Sequence, residues 1–287
     1  MTDAQCARYL RLLGLPAAPR GRGALAALVA AHLERVPFET VSKLCHRRRG
    51  EPHTIPELDR FLDGIEHHRF GGTCYANNYC LYRLLAHLGY EVRLCGAAMS
   101  RPDVHLVSIV TLDGREFLVD GGYGAPFLEP LPRDLDTDHV VELGRDRYVL
   151  RPQDGEGRSR LEHWNGNVLR HGYTVDPRPR RIEEFRAVIE QSFMVDATFM
   201  QTLRIVRFVP GGSVDLLDRR LTQTTGRRSR TRILDDTAAL VAAIAGAFGM
   251  PHLAITEALA ELEFLRAAAN AARLNRSASP PSRRSHR

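Results

Sequence analysis

The chain has 287 residues, of which 44% are apolar, and its formal net charge is +6 at pH 7. This length allows two or three compact units, and the composition is that of a globular protein. No apolar run approaches the ~18 residues that a membrane-spanning helix needs, and the N-terminus lacks the apolar core of a signal peptide. The sequence therefore predicts a cytoplasmic protein and excludes a membrane-embedded one.

The positive charge is concentrated at the C-terminus. Residues 273–287 carry five arginines and no acidic residue, so the rest of the chain has a net charge of only +6 − 5 = +1. A balance this close to zero does not predict a nucleic-acid-binding protein. The tail is rich in Ser, Pro and Arg and is predicted to be disordered, with a basic arm for an acidic partner as the alternative.

The cysteines are predicted to be reduced. They are odd in number and no two of them form a Cys-x-x-Cys pair, so neither a disulfide framework nor a zinc site is expected. The sequence also lacks the glycine-rich loops that bind nucleotide phosphates. The five cysteines are Cys6, Cys45, Cys74, Cys80 and Cys95.

Taken in chain order, the predicted elements fall into four parts. Residues 1–90 are predicted to be helical and include the segments CARYLRLLGL, RGALAALVAAHLERV and IPELDRFLDGI. Residues 91–195 contain short β runs separated by turn signals, with one helical segment, IEEFRAVIEQSFM. Residues 196–270 combine a strand, a hairpin and two helices, and residues 271–287 form the basic tail.

The segment FGGTCYANNYCLYRLLAHLGY, residues 70–90, places a cysteine at the start of an amphipathic helix. Apolar residues at 81, 84, 85 and 88 form one buried face, which extends back to Cys74 in the first turn. Thr73 is the predicted N-cap, and Gly71-Gly72 allows a tight bend in the incoming backbone. Because the positive end of the helix dipole favours a thiolate, Cys74 is a candidate nucleophile; a small core residue is the alternative.

A second segment, DVHLVSIVTLDGREFLVDGGYG, predicts a β-hairpin around Asp113-Gly114. If these two residues form the loop, the numbers of paired residues sum to 227, and His105 and Asp120 are diagonal neighbours on one face. Both faces are largely apolar, so Asp120 is expected to be buried and to need His105 as its partner. The alternatives are a turn-forming aspartate and a solvated histidine. The missing side chain of Gly122 is expected to leave room beside the imidazole.

Cys74, His105 and Asp120 together supply the parts of an activated-nucleophile site. An aspartate that holds one ring nitrogen of a histidine fixes the tautomer and leaves the other nitrogen free to take a proton from a thiol. The spacing by itself does not place Cys74 beside His105 in space.

These segments resemble the arylamine N-acetyltransferases, and the likeness covers roughly residues 5 to 265. The family motif around the nucleophile has a basic residue, Gly-Gly-x-Cys, an aromatic residue and a nearby Asn, matched here by Arg69, GGTCY and Asn78 with Phe70 as an extra residue. HLERVPFET, HLVSIV and FLVDGGYG are similar to three further family motifs. SFMVDATFMQTLRIVRFVPGGSVDLLDRRLT and AFGMPHLAITEAL resemble those of the third family domain.

The resemblance implies an α+β fold with three domains and a cysteine-proteinase-like core. These domains are an N-terminal helical bundle, a central β-barrel-like domain and a C-terminal α/β lid. It also implies acetyl transfer from the co-substrate acetyl-CoA to an arylamine, arylhydrazine or N-hydroxyarylamine, through a thioester on Cys74 and without a metal. The expected partners are these small molecules, and neither a nucleic acid nor a membrane. By the same analogy Phe38 and Tyr123 line the acceptor pocket, and Gly124 and Ala125 approach coenzyme A.

Three residues depart from the family pattern: Ala76 replaces an acid or amide, Thr40 replaces Asn, and Tyr123 replaces the Phe of Gly-Phe-Gly. The replacement at Tyr123 leaves the preferred acceptor open. An amide synthase of the same fold, which takes its acyl group from a carrier protein or polyketide, is therefore an alternative. A Cys-His-Asp hydrolase and a non-enzymatic binding module are more distant alternatives.

Overall fold

The N-terminal part of the protein is helical. The computed structural model describes residues 1–16 and 21–278 of the chain. Five helices precede the first long strand, because apolar residues in this part recur at helical spacing. They are α1 (Asp3–Leu13), α2 (Arg22–Arg35), α3 (Val41–Arg48), α4 (Leu58–His68) and α5 (Cys74–His87), with the short strand β1 (Phe38–Glu39) between α2 and α3.

The middle of the chain forms an antiparallel sheet of eight strands in the order β5-β4-β3-β2-β9-β8-β7-β6. Segments rich in β-branched or aromatic residues, which favour strands, alternate along the chain with short turns that contain glycine. Their bounds are β2 (Glu91–Ala98), β3 (His105–Leu112), β4 (Arg115–Val119), β5 (Leu131–Pro132), β6 (His139–Leu143), β7 (Asp146–Leu150), β8 (Ser159–Asn165) and β9 (Val168–Pro179).

The C-terminal part begins with helix α6 (Arg186–Gln191) and contains a second antiparallel sheet in the order β1-β10-β11-β12-β13. Because β1 comes from the helical part, this sheet joins the helical part to the C-terminal part. The remaining elements are β10 (Arg204–Val209), β11 (Gly212–Leu217), β12 (Arg220–Thr225), β13 (Arg228–Ile233), α7 (Thr237–Phe248) and α8 (His252–Ala278).

Two hydrophobic cores meet at α5. The first core packs α1, α2 and α4 against the eight-stranded sheet. The second core packs α3 and α6 against β10, β11, α7 and α8. Helix α5 contributes Cys80 and Leu81 to the first core and Cys74 and Tyr75 to the second. The start of α5 therefore lies at the boundary between the two cores.

The predicted hairpin register is confirmed. Leu112 pairs with Arg115 and Ser108 pairs with Val119, so the paired numbers sum to 227 as expected. Asp113 and Gly114 form the turn with positive φ angles, as a type I′ turn requires. The predicted helical segment at residues 182–194 is also present, as a 3₁₀ turn followed by α6.

Several elements differ from the prediction. Strands β6, β8 and β13 lack the continuous apolar run that predicts a strand, and β8 carries His163 and Trp164. The predicted disordered tail is wrong in its first part, because α8 continues through Ala278. The alanine-rich sequence before Pro280 favours a helix and contains no helix breaker. Residues 279–287 of the predicted tail lie outside the described part of the chain.

No helix within residues 1–16 and 21–278 combines the length and the apolar character that crossing a membrane requires.

Candidate active site

Cys74 is the first residue of α5 and is only 7% exposed. Thr73 is the N-cap with an extended backbone, as predicted, but its side chain makes no capping hydrogen bond. The first N–H groups of a helix have no intrahelical acceptor, so they remain available to a ligand beside the thiol. The structure thus places a nearly buried thiol at a helix N-terminus.

The two glycines before Cys74 allow a close backbone contact with β1. A Cβ atom on Gly71 would lie 2.0 Å from the carbonyl oxygen of Pro37, and Gly72 has a φ of +155° that other residues rarely adopt. The Glu39 N–H donates to the Gly72 carbonyl at 3.0 Å. The buried Glu39 carboxylate accepts from the Gly71 N–H at 3.2 Å and from the Ser42 N–H at 2.8 Å. Glu39, which sequence reasoning noted only as part of a motif, therefore anchors the bend that presents Cys74.

His105 and Asp120 form a buried pair. His105 Nε2 lies 2.8 Å from Asp120 Oδ2, and the two residues are each 2% exposed. Because Nε2 is bound to the carboxylate, Nδ1 is the ring nitrogen left for a reacting group. The face-sharing predicted from the hairpin register brings these two side chains together, although Asp120 follows the end of β4.

Burial favours the neutral forms of His105 and Asp120, but the attraction between their charges and their hydrogen bonds outweighs the effect of burial. Burial lowers the pKa of His105, but the charge and hydrogen bond of Asp120, together with the nearby Cys74 side chain, raise it above its usual value overall. Burial raises the pKa of Asp120, but the charge of His105 and the hydrogen bonds of His105, Asn78 and Tyr173 outweigh burial and lower the pKa overall. The pair is thus stabilised as imidazolium and carboxylate. Cys74 Sγ lies 3.9 Å from the carbonyl oxygen of Val104, the residue before His105.

Asn78 and Tyr173 complete the support of Asp120. The Asn78 amide donates to Asp120 Oδ1 at 2.8 Å and accepts from the Gly121 N–H at 2.7 Å. The Tyr173 hydroxyl donates to Asp120 Oδ2 at 2.8 Å. Asn78 lies one helical turn after Cys74 on the same side of α5, so it joins this helix to the loop after β4. Sequence reasoning did not identify Tyr173, and no local signal points to it.

The space that the sequence predicts beside the imidazole at Gly122 is absent. A Cβ atom there would lie 2.7 Å from Cys74 Cα and 2.8 Å from Asn78 Nδ2. The missing side chain therefore allows the loop to contact the backbone of α5, and does not leave space beside the imidazole. This close approach holds His105 and Asp120 against α5.

A cavity of about 1060 Å³ opens at Cys74. Its lining includes the first turn of α5, the edge of β9 and the segment before β10. This volume is sufficient for a sizeable organic substrate. The lining residues include Lys43, Cys74, His171, Tyr173, Ser192 and Phe199.

The predicted substrate and coenzyme residues lie near this cavity. Phe38 is 7% exposed, and its ring makes an edge contact with that of Phe199 at 5.3 Å. Tyr123 makes an edge contact with the ring of His105 at 5.7 Å between centroids. Gly124 faces the ring of Phe38, and Ala125 is buried in the first core, so only its backbone could meet a ligand. None of these four residues lines the cavity directly.

Tyr123 ends a chain of hydrogen bonds that the sequence did not predict. The carboxylate of Asp146 contacts His163 Nε2 at 2.9 Å, and His163 Nδ1 contacts His171 Nε2 at 3.1 Å. The other nitrogen of His171 contacts the Tyr123 hydroxyl at 2.5 Å. Burial and the charges of His163 and Arg204 lower the pKa of His171 to about 4, so this imidazole is neutral at neutral pH.

Within the described residues no group of three or more His, Cys, Asp and Glu side chains is arranged to hold a metal ion.

Comparison with known proteins assigns this arrangement to a family. A family model described as N-acetyltransferase matches residues 23–254, which is most of the chain. The chain belongs to the arylamine N-acetyltransferase family. An arylamine N-acetyltransferase of Mycolicibacterium smegmatis is 32% identical over 186 residues, which cover 60% of this chain and 65% of that protein. The proansamycin X synthase of Amycolatopsis mediterranei is 29% identical over 231 residues, covering 74% of this chain and 84% of that protein.

The fold is that of arylamine N-acetyltransferases of known structure. The structure of the Mycobacterium marinum enzyme in complex with CoA has a TM-score of 0.75 and 23% sequence identity, and the match covers 91% of this chain and 99% of that one. The predicted family, the predicted fold class and the prediction of a transferase are therefore confirmed.

Two departures from the arylamine N-acetyltransferase pattern are accommodated by local contacts. The Thr40 hydroxyl donates to the Thr202 carbonyl at 2.9 Å and accepts from the Arg204 N–H at 3.0 Å. Thr40 therefore links β1 to β10 through its own side chain. Ala76 is buried in the first core, where a larger side chain would meet the backbone bend at Gly72.

Proposed function

We propose that the protein transfers an acetyl group from acetyl-CoA to the nitrogen of an arylamine, arylhydrazine or N-hydroxyarylamine. The observation that carries the proposal is the buried His105–Asp120 pair on the hairpin that packs against Cys74, whose Sγ lies 3.9 Å from the carbonyl oxygen of Val104, the residue before His105. A thiolate beside an imidazolium is a strong nucleophile toward thioesters. The cavity at Cys74 gives both substrates access to it in turn.

The first half-reaction forms an acyl-enzyme. Cys74 Sγ attacks the thioester carbonyl carbon, the carbon–sulfur bond to coenzyme A breaks, and His105 protonates the departing thiolate. Backbone N–H groups in the first turn of α5 donate to the oxyanion of the tetrahedral intermediate. The acetyl group then remains on Cys74 as a thioester.

The second half-reaction passes the acetyl group to the amine. The neutral amine nitrogen attacks the acetyl carbon, His105 removes the amine proton, and Cys74 leaves as the thiolate. Asp120 keeps the imidazole in one orientation and stabilises its charged form in both halves. Arylamines suit this sequence because their weakly basic nitrogens are not protonated at neutral pH. Phe38 and Tyr123, which contact the cavity-lining residues Phe199 and His171, shape the acceptor pocket. By the family resemblance, Gly124 and Ala125 approach coenzyme A.

The hydrogen-bond chain adds a feature to the acceptor site. It ends at the Tyr123 hydroxyl, which contacts His171 and has one donor proton and two acceptor lone pairs. We propose that this hydroxyl forms a hydrogen bond with the acceptor molecule. The protein acts on these small molecules in the cytoplasm.

Intact-protein mass spectrometry after brief mixing with acetyl-CoA tests the proposal. We expect one acetyl adduct on the wild type, its loss on addition of an aromatic amine, and no adduct on Cys74→Ala. Cys80→Ala is the matched control, because Cys80 lies on the same helix but is buried in the first core. An adduct that persists in Cys74→Ala would contradict the proposed nucleophile.

The second candidate function is an amide synthase of the same fold. The similarity to proansamycin X synthase over most of the chain favours it. It would use the same three residues with a carrier-bound or polyketide acyl donor. Ready alkylation of Cys74 without any adduct from acetyl-CoA would support this function over the first.

A further inference from the structure

Lys43 is the single lysine of the chain, and it is buried. It belongs to α3 and is 5% exposed. Its Nζ donates to the Ser192 hydroxyl at 2.7 Å and lies 4.2 Å from the centre of the Phe193 ring. Among the described residues no carboxylate forms an ion pair with it. An ammonium group has three donors, so this arrangement leaves hydrogen-bonding capacity unused.

A buried ammonium without a counter-ion is energetically unfavourable. Burial lowers the pKa of Lys43 to about 8, while the nearby Cys74 side chain acts in the opposite direction. At neutral pH the group is therefore still mainly charged. The hydroxyl of Ser192 and the face of Phe193 stabilise it in part. An anion supplied by a ligand would complete the site.

The position of Lys43 indicates where such an anion would come from. Lys43 lines the same cavity as Cys74 and Thr73. Three arginines and two carboxylates also line this cavity, and one of the carboxylates, Glu162, is already bound to Arg151 and Arg160. Four cationic side chains against two carboxylates give the lining an excess of positive charge. The remaining charged side chains of the lining are Arg101, Arg170 and Asp196.

We propose that Lys43 binds a carboxylate of the substrate beside the acyl group on Cys74. The carboxylate belongs either to the aromatic acceptor or to the acyl group itself, and in both cases it receives charge-assisted hydrogen bonds from Nζ. The proposal rests on the proposed function in that it assumes substrates react at Cys74. Lys43 is then a specificity-determining residue of this chain.

The test compares carboxylated with neutral substrates in Lys43→Met, which keeps an unbranched side chain and removes the charge. One arm uses 4-aminobenzoate against its methyl ester with acetyl-CoA, and the other uses succinyl-CoA against acetyl-CoA with a neutral aniline. We expect the ratio of kcat/KM for the carboxylated to the neutral substrate to fall about tenfold in one arm. The arm that responds identifies the source of the carboxylate.

Lys43→Arg keeps the charge and should retain much of the preference, and Ser192→Ala, which removes only the neighbouring hydroxyl, should retain most of it. Equal losses for carboxylated and neutral substrates in both arms, or no loss in either, would overturn the proposal.

Alkylation of Cys74 by iodoacetamide gives a readout that does not need turnover. 4-Aminobenzoate or succinate should protect Cys74 better than a neutral analogue in the wild type, and Lys43→Met should abolish the difference. Absence of protection would count against Lys43 even if acetyl transfer failed.

Discussion

At the scale of single residues, Tyr123 differs from the family phenylalanine by one hydroxyl group, and that group has a defined partner. The ring stacks on Phe127 and meets Tyr173 edge-on, so its position is fixed by aromatic neighbours. The hydroxyl adds the hydrogen bond to His171, which is linked through His163 to Asp146. Removing the hydroxyl group should therefore change the hydrogen bonding of the site and leave its aromatic shape unchanged.

Tyr123→Phe should change acceptor preference without destroying the site. An acceptor with a hydroxyl group on its ring should lose about two- to tenfold in kcat/KM, because one hydrogen bond contributes about 0.5–1.5 kcal/mol net. The corresponding acceptor without the ring hydroxyl group cannot form this hydrogen bond and should lose much less. Steady-state kinetics with the two acceptors measure the difference, and the rate of Cys74 acetylation serves as the control. Equal losses for both acceptors would mean that the hydroxyl acts on the fold and not on recognition.

At the scale of elements, the active site depends on the contact between the loop after β4 and the start of α5. Gly122 allows that contact, since its Cα lies against the backbone of Cys74. Asn78 stabilises this contact. Its amide donates to Asp120 and to the Leu106 carbonyl of β3, and it accepts from the Gly121 N–H. The hairpin and the helix therefore form one unit around the imidazole.

Gly122→Ala should separate these elements. The new Cβ would lie 2.7 Å from Cys74 Cα, and a backbone atom cannot move aside as a side chain can. We expect a loss of about 1–3 kcal/mol in the free energy of unfolding and a large loss of kcat/KM. Gly155→Ala is the control, because nothing lies within 4 Å of the position of its Cβ. Urea denaturation and acetyl transfer measured on both variants check the prediction; similar behaviour of the two would contradict it.

The elements that sequence reasoning placed correctly are those specified by local signals. Asp113-Gly114 sets the hairpin register, and the register sets the shared face of His105 and Asp120. The partners that sequence reasoning missed are distant in the chain: Tyr173 is 53 residues from Asp120, and Ser192 is 149 residues from Lys43. Such contacts depend on how the two sheets and the helices pack, which no local propensity encodes. The side chains of β13 are exposed and those of β6 are exposed or half-buried, so neither strand has the apolar run that predicts a strand.

At the scale of the whole molecule, the active site is supported from both cores. Helix α5 separates them, and β1 connects the bend before Cys74 to β10 in the second sheet. On the other side, His32 of α2 reaches the loop after β4, where a Cβ on Gly121 would lie 2.8 Å from the His32 ring. A change in the charge of His32 would therefore affect both the first core and the loop that holds Asp120.

His32 should make the protein less stable in acid. It is 0% exposed, its Nδ1 lies 3.0 Å from the Tyr9 hydroxyl, and burial lowers its pKa to about 3. An unfolded histidine titrates near ~6.5, so below that pH the unfolded chain takes up a proton that the folded chain does not. The stability contributed by the neutral imidazole is present above ~6.5 and is lost progressively as the pH falls toward about 3.

His32→Asn removes this titration and keeps a polar group near Tyr9. Although Asn costs some stability at every pH through lost packing, its free energy of unfolding should fall less between pH 7 and pH 5 than that of the wild type. The difference should be about 2 kcal/mol, since each pH unit below ~6.5 contributes about 1.4 kcal/mol for one group. All other titrating groups are common to both proteins and cancel in the comparison. Urea denaturation at the two pH values gives the four free energies; equal losses in the two proteins would show that His32 is protonated in the folded state.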